Sequence, residues 1–197
     1  MNKSLLLESA ARELTPKLVR LSETQPTPIV LIDGRAGSGK STFAETLQSL
    51  LFKELEQLPR LVHMDDLYPG WQGLAAGSLY LVDRILRPLR ANTRASWQNW
   101  DWGAERRGGA DIGNGWRELE PGSFLIVEGC GSVSRSSSRL ADLAIWVDAD
   151  KAIRKERFLA RDQSRFAEQW AHWSIQEDEF YQTEDSESLC QVRISNS

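Results

Sequence analysis

The residues with the most chemistry in them stand at 34–41, reading Gly34-Arg35-Ala36-Gly37-Ser38-Gly39-Lys40-Ser41. A glycine, four variable positions and then Gly-Lys-Ser is the spacing of a backbone wrapped around a polyphosphate. Glycines admit conformations closed to other residues and let N–H groups approach phosphate oxygens. A helix started by the loop points the positive end of its dipole at the same phosphates. Lys40 is then placed for the β- and γ-phosphates and the Ser41 hydroxyl for a magnesium ion. The ligand to expect is ATP with Mg²⁺, held by Gly34, Ala36, Gly37, Ser38, Gly39, Lys40, Ser41 and Thr42.

Acids stand where such a ligand needs them. Asp65 and Asp66 follow the apolar run Leu61-Val62-His63-Met64, and Glu128 follows Phe124-Leu125-Ile126-Val127. In an open α/β sheet, ligands bind outside the carboxyl ends of the strands, which is where these acids fall. Asp65 is suited to accept the proton of an acceptor hydroxyl, or to help hold magnesium, and Glu128 to hold magnesium together with Ser41. A turn or a helix cap also favours an acid, so a structural role stays open for each, and for Asp150 the cap is the better reading.

Arg154, Arg157, Arg161 and Arg165 recur at spacings of three, four and four, which puts them near one helical face. A same-sign stripe repels itself unless a polyanion neutralises it. An arginine on a migrating phosphoryl group contributes roughly 10³–10⁵ in rate, far more than an exposed salt bridge could supply. Arg157 and Arg161 are the best placed for that role, while Arg165 equally suits the acceptor. The alternative is a solvated basic face paired with Glu156 and Asp162.

These groups need a scaffold to position them. The short, β-branched run Ile29-Val30-Leu31-Ile32 reads as a central strand covered on both faces, leading straight into the glycine loop. Helical patterns occupy 3–22, 41–55 and 74–90. Further buried strands are expected at 61–64, 124–127 and 143–147, a long helical region at 151–181 with a break near 162–164, and a last strand at 189–194. The polar, glycine-rich stretch 91–121 suggests short strands and a hairpin. Strands alternating with helices imply a parallel α/β sheet in one domain, 1–197. Trp71, Trp97, Trp100, Trp102 and Trp116 crowd the segment between the second and third buried strands, where they suit an acceptor wall or a small lobe's core equally. Trp170, Trp173, His63 and His172 read as packing residues.

Composition excludes several classes. The 197 residues are 41% hydrophobic and 26% charged, ordinary for a globular protein, and the net charge of −4 argues against a dedicated nucleic-acid binder. No apolar run reaches the roughly 18–20 residues that span a bilayer. Cys130 and Cys190 form no metal or disulfide framework, so a cytoplasmic location is expected, with a hydroxyl-bearing small molecule as partner.

Taken together, IDGRAGSGKST at 32–42, HMDDLY at 63–68, NWDW at 99–102, VEG at 127–129 and RKERFLARD at 154–162 resemble the uridine kinase, phosphoribulokinase and bacterial pantothenate kinase group of P-loop kinases. The resemblance implies a three-layer P-loop NTPase fold with a five-stranded parallel sheet and an arginine lid at 154–165. It further implies Asp65 as the base, with Asp66 second, and Lys40, Arg157 and Arg161 acting on the phosphates. The acceptor pocket would involve Asp66, Tyr68, Trp100, Asp101, Trp102 and Arg165. The residues that follow Trp102, Gly103-Ala104-Glu105-Arg106-Arg107, lack the histidine that uridine kinases place there.

Overall fold

A computed structural model of the chain describes residues 3–109, 113–161 and 167–197. Its centre is a five-stranded, all-parallel sheet of β1 (Ile29–Asp33), β2 (Arg60–His63), β7 (Leu125–Glu128), β8 (Leu143–Asp148) and β9 (Val192–Ser195), ordered β2-β7-β1-β8-β9. Between β2 and β7 in the chain come β3 (Ala95–Gln98) paired antiparallel with β6 (Trp116–Leu119), and β4 (Trp100–Asp101) paired with β5 (Arg106–Arg107). The helices are α1 (Lys3–Thr24), α2 (Lys40–Leu55), α3 (Leu74–Leu81), α4 (Arg87–Arg90), α5 (Lys151–Arg161) and α6 (Ala167–Glu184).

Alternation along the strands explains why the runs are continuously apolar. Ile29 and Leu31 of β1, with Leu125, Val127 and Ala144, join a core beneath α3 and α6. Val30 and Ile32, with Ile126, Ile145 and Val147, join a second core beneath α1 and α2. Both sheet faces are therefore covered, giving three layers. The five-stranded sheet and its flanking helices match the architecture expected from the sequence.

Two local departures have physical causes. The second strand stops at His63, because Met64, Asp65 and Asp66 form one turn of 3-10 helix that turns the two acids out of the sheet register. The helical stretch 74–90 is continuous but takes a π-type turn at Val82–Leu86, just ahead of Pro88, which cannot donate to the preceding turn. Among the described residues, no helix is long and apolar enough to cross a membrane.

Candidate active site

The glycine loop leaves β1 at Asp33 and enters α2 at Lys40, with Gly39 at φ 101° as its N-cap. A Cβ on Gly34 (φ 142°) would lie 2.0 Å from the Val147 carbonyl oxygen, and one on Gly37 (φ 79°) 2.2 Å from that of Arg154. Only glycine fits where β8 and α5 press this closely on the loop. As the opening residues of a helix, Lys40, Ser41 and Thr42 have amides with no carbonyl partner inside α2, so their positive ends are available to an anion.

Lys40 is buried, and its Nζ donates to the Arg35 carbonyl at 3.1 Å and lies 3.6 Å from Cys130 Sγ. Burial pulls an ammonium pKa down, but the neighbouring carboxylates of Glu128, Glu177 and Asp33 oppose this, and the net shift is upward. Burial also pushes the Cys130 thiol up, so it stays protonated; the three carboxylates are what keep Lys40 charged. Glu128, at the end of β7, is 5% exposed, and its Oε1 accepts from Ser41 Oγ at 3.1 Å. The same oxygen meets His63 Nδ1 at 2.6 Å.

That contact brings into the site a histidine read from the sequence as packing. Its hydrogen bond to Glu128 holds the His63 pKa above 6.5, against a smaller opposing effect of burial. A raised folded-state pKa means the pairing stabilises fully below about 6.5 and is lost as pH climbs through the higher folded value. Thermal unfolding from roughly pH 5 to 9 is expected to show the native chain exceeding His63→Gln at the acid end and converging with it at the alkaline end.

A cavity of about 750 Å³ runs beside the loop, lined by Lys40, Ser41, Thr42 and Glu128, and also by Asp65, Tyr68 and three tryptophans, 71, 102 and 173. Trp102 Nε1 donates to the Asp65 carbonyl at 2.9 Å and its ring lies 5.0 Å from that of Trp71. Tyr68, fully buried, donates its hydroxyl to the Cys130 carbonyl at 2.7 Å and packs edge-on against Trp173 at 4.8 Å. Trp100, Asp101 and Asp66 stand off this wall. Asp101 Oδ1 instead accepts the amides of Gly103 and Ala104 at 2.9 Å each, which sets the turn that presents Trp102. Asp66 has a pKa raised by burial, opposed by His63 and Arg117.

Of the arginines, Arg157 lines the cavity and donates to the carbonyls of Gly37 at 3.3 Å and Ser38 at 3.4 Å. Arg154, also buried, reaches the Ala36 carbonyl at 3.4 Å. Arg161 closes α5, and Arg165 lies outside the described residues.

Two further carboxylates, not singled out from the sequence, complete the loop's surroundings. Glu177 of α6, 1% exposed, accepts the Ala36 amide at 2.6 Å and the Cys130 thiol at 3.2 Å. Asp33 has a carboxyl raised to about 6 by burial, despite accepting from the amides of Gly34, Gly131 and Val133 and the Tyr181 hydroxyl. One signal for Asp33 was available in the sequence, an acid ending an apolar strand. Asp33→Ala is expected to leave the Gly131 and Val133 amides without that acceptor and to cost about 2–4 kcal/mol in a urea unfolding series.

A parallel sheet in this order, with the glycine loop on its central strand, defines a P-loop protein with a kinase-like fold. The chain belongs to the AAA domain family, whose model matches residues 30–182. Among solved structures it is similar to a candidate uridine kinase from Bacillus stearothermophilus, at 20% identity, covering 92% of this chain and 99% of that one with a TM-score of 0.58. A candidate fructose transport system kinase from a Silicibacter species gives 18% identity, 95% and 98% coverage and a TM-score of 0.60. D-glycerate 3-kinase from Cryptococcus neoformans gives 14%, 82% and 79%, and 0.52. These likenesses establish the fold. No curated protein sequence matches the chain.

Proposed function

We propose that the chain transfers the γ-phosphoryl group of ATP to a hydroxyl of a small molecule. The observation that carries this reading is that one cavity is lined both by the phosphate loop, with Lys40 and Ser41, and by Asp65 among the tryptophans. A nucleotide switch needs the first wall but has no use for an acid held in an aromatic pocket. The names of the fold's neighbours, kinases of small hydroxyl compounds, support the same reading.

In this mechanism the loop amides and Lys40 hold the triphosphate and gather its negative charge. Magnesium fits the donor set, because the Ser41 hydroxyl and the Glu128 carboxylate converge at 3.1 Å and are the hard oxygen ligands it prefers. When bound, the ion would neutralise phosphate charge. Asp65 receives the proton of the acceptor hydroxyl as its oxygen bonds to phosphorus and the bond to the ADP oxygen breaks. Arg157 and Arg161 steady the phosphoryl charge, Tyr68 and Trp102 line the acceptor side, Asp101 acts through the turn that presents Trp102, and Arg165 is assigned to the acceptor as well. The location we propose is the cytoplasm, where ATP is abundant.

A coupled ADP-release screen with ATP and magnesium, run across nucleosides, sugars, polyols and vitamins, tests the proposal. An acceptor that raises ADP release well above the hydrolysis background supports it. Slow hydrolysis indifferent to every acceptor would assign the chain to the regulatory ATPases or GTPases instead.

A further inference from the structure

The back of the phosphate loop is held by a residue outside its motif. Three successive loop carbonyls are engaged, Ala36 by Arg154, Gly37 by Arg157 and Ser38 by both Arg157 and Asn196. The shortest of these bonds, 2.7 Å, comes from Asn196 Nδ2. Asn196 follows β9 and is 3% exposed. Its own amide donates to the Asp148 carbonyl at 2.8 Å, and its carbonyl accepts Arg157 Nη2 at 3.0 Å. A Cβ on Gly39 would come within 2.4 Å of Asn196 Nδ2, so the amide group presses on the loop at the residue that caps α2. The other amide atom, Oδ1, is buried without a partner among the described residues. Packing alone would therefore favour an apolar side chain here, and only the donor bond to Ser38 argues for an amide.

Peptide geometry turns this bond into a statement about the site. The Ser38 carbonyl and the Gly39 amide belong to one planar trans peptide and point in opposite directions. Fixing the carbonyl against Asn196 and Arg157 fixes the Gly39 N–H away from them. Gly39 lines the cavity, beside the unpaired amides of Lys40 and Ser41. We propose that Asn196 is a positioning residue that pre-orients the phosphate loop for the β-phosphate of the nucleotide, acting through the Ser38–Gly39 peptide. The inference rests on the nucleotide-binding part of the proposed function and is independent of the acceptor.

Two substitutions separate positioning from packing. Asn196→Asp keeps the shape but replaces the donor with an acceptor, and Asn196→Leu removes the amide while filling the space. The dissociation constant for MgADP is measured by calorimetry at a temperature where circular dichroism shows each variant folded. Both variants are expected to bind MgADP about 10-fold or more weakly than the native chain, the scale of one lost hydrogen bond. If Asn196 serves only packing, the unfolding temperature will move while MgADP affinity in the folded variants stays at the native value, and that result overturns the proposal. Should the leucine variant fail to fold, Asn196→Ser, uncharged and too short to reach the Ser38 carbonyl, takes its place, because the charge of Asn196→Asp would itself repel the nucleotide's phosphates. A native chain that binds no MgADP would overturn the nucleotide reading and this inference with it, whereas native binding with unchanged variants removes the inference only.

Discussion

Lys40→Ala is expected to abolish ATP-dependent phosphoryl transfer, lowering kcat/KM for ATP by about 10³-fold or more in the coupled ADP assay. Removing one preorganised donor to developing transition-state charge costs roughly 10²–10³-fold in other enzymes, and a full cation does at least as much. Lys40 is well suited to that scale because it is buried, fixed on the Arg35 carbonyl and kept charged by surrounding acids. At 6% exposure, its charge is screened weakly. The variant also leaves Glu128, Glu177 and Asp33 without their common cation, so its unfolding temperature is measured alongside. A folded Lys40→Ala protein that retains full activity would end the kinase assignment.

The second large effect is expected at Asp65. Asp65→Asn keeps the shape of the side chain but cannot take the acceptor's proton. A fall in kcat of about 10²–10⁴-fold is expected, the usual range for a general base. MgADP affinity is expected to stay at the native value, because Asp65 reaches the cavity from the 3-10 turn after β2 and not from the phosphate loop. That combination, turnover lost with nucleotide binding intact, distinguishes a base from a structural acid. Equal loss of both would make Asp65 part of the nucleotide site, and unchanged turnover would move the base to another carboxylate, Asp66 first.

How much of this was legible in the sequence depended on how far apart the interacting residues lie in the chain. The glycine loop was readable because its chemistry is local, with the strand before it, the helix after it and every fixed position within eight residues. The strands were readable because each is an apolar run between turn signals, and their parallel pairing followed from the helices between them. Their order, β2-β7-β1-β8-β9, had no local signature. Glu177 and Asn196 escaped notice for the same reason, since they meet the loop across 141 and 158 residues of chain. An acid inside a helix or an asparagine after a strand looks like any surface residue until the fold closes. His63 reads as a packing residue in the sequence because its partner, a carboxylate at the same level of the neighbouring strand β7, lies 65 residues away in the chain. The tryptophans divided where sequence left them balanced: Trp97 is core at 2% exposure, Trp71 and Trp102 line the cavity, and Trp116 is exposed. Composition cannot separate these fates, because a core and a pocket wall call for the same aromatic surface.

One helix touches both ends of the cavity. Along α6, Trp173 lines the aromatic wall and Gln176 donates to the Trp71 carbonyl at 2.6 Å. Glu177 holds the Ala36 amide, and the Tyr181 hydroxyl reaches Asp33 at 2.7 Å. These four residues fall within about two and a half turns, each turn rising about 5.4 Å. The helix therefore acts as a caliper, with its pitch setting the gap between the phosphate loop and the aromatic wall. A caliper tolerates replacement of its surface but not a change of its graduation. One residue inserted between Trp173 and Gln176 would rotate everything beyond it by about 100°, releasing the loop from the pocket even with every side chain still present.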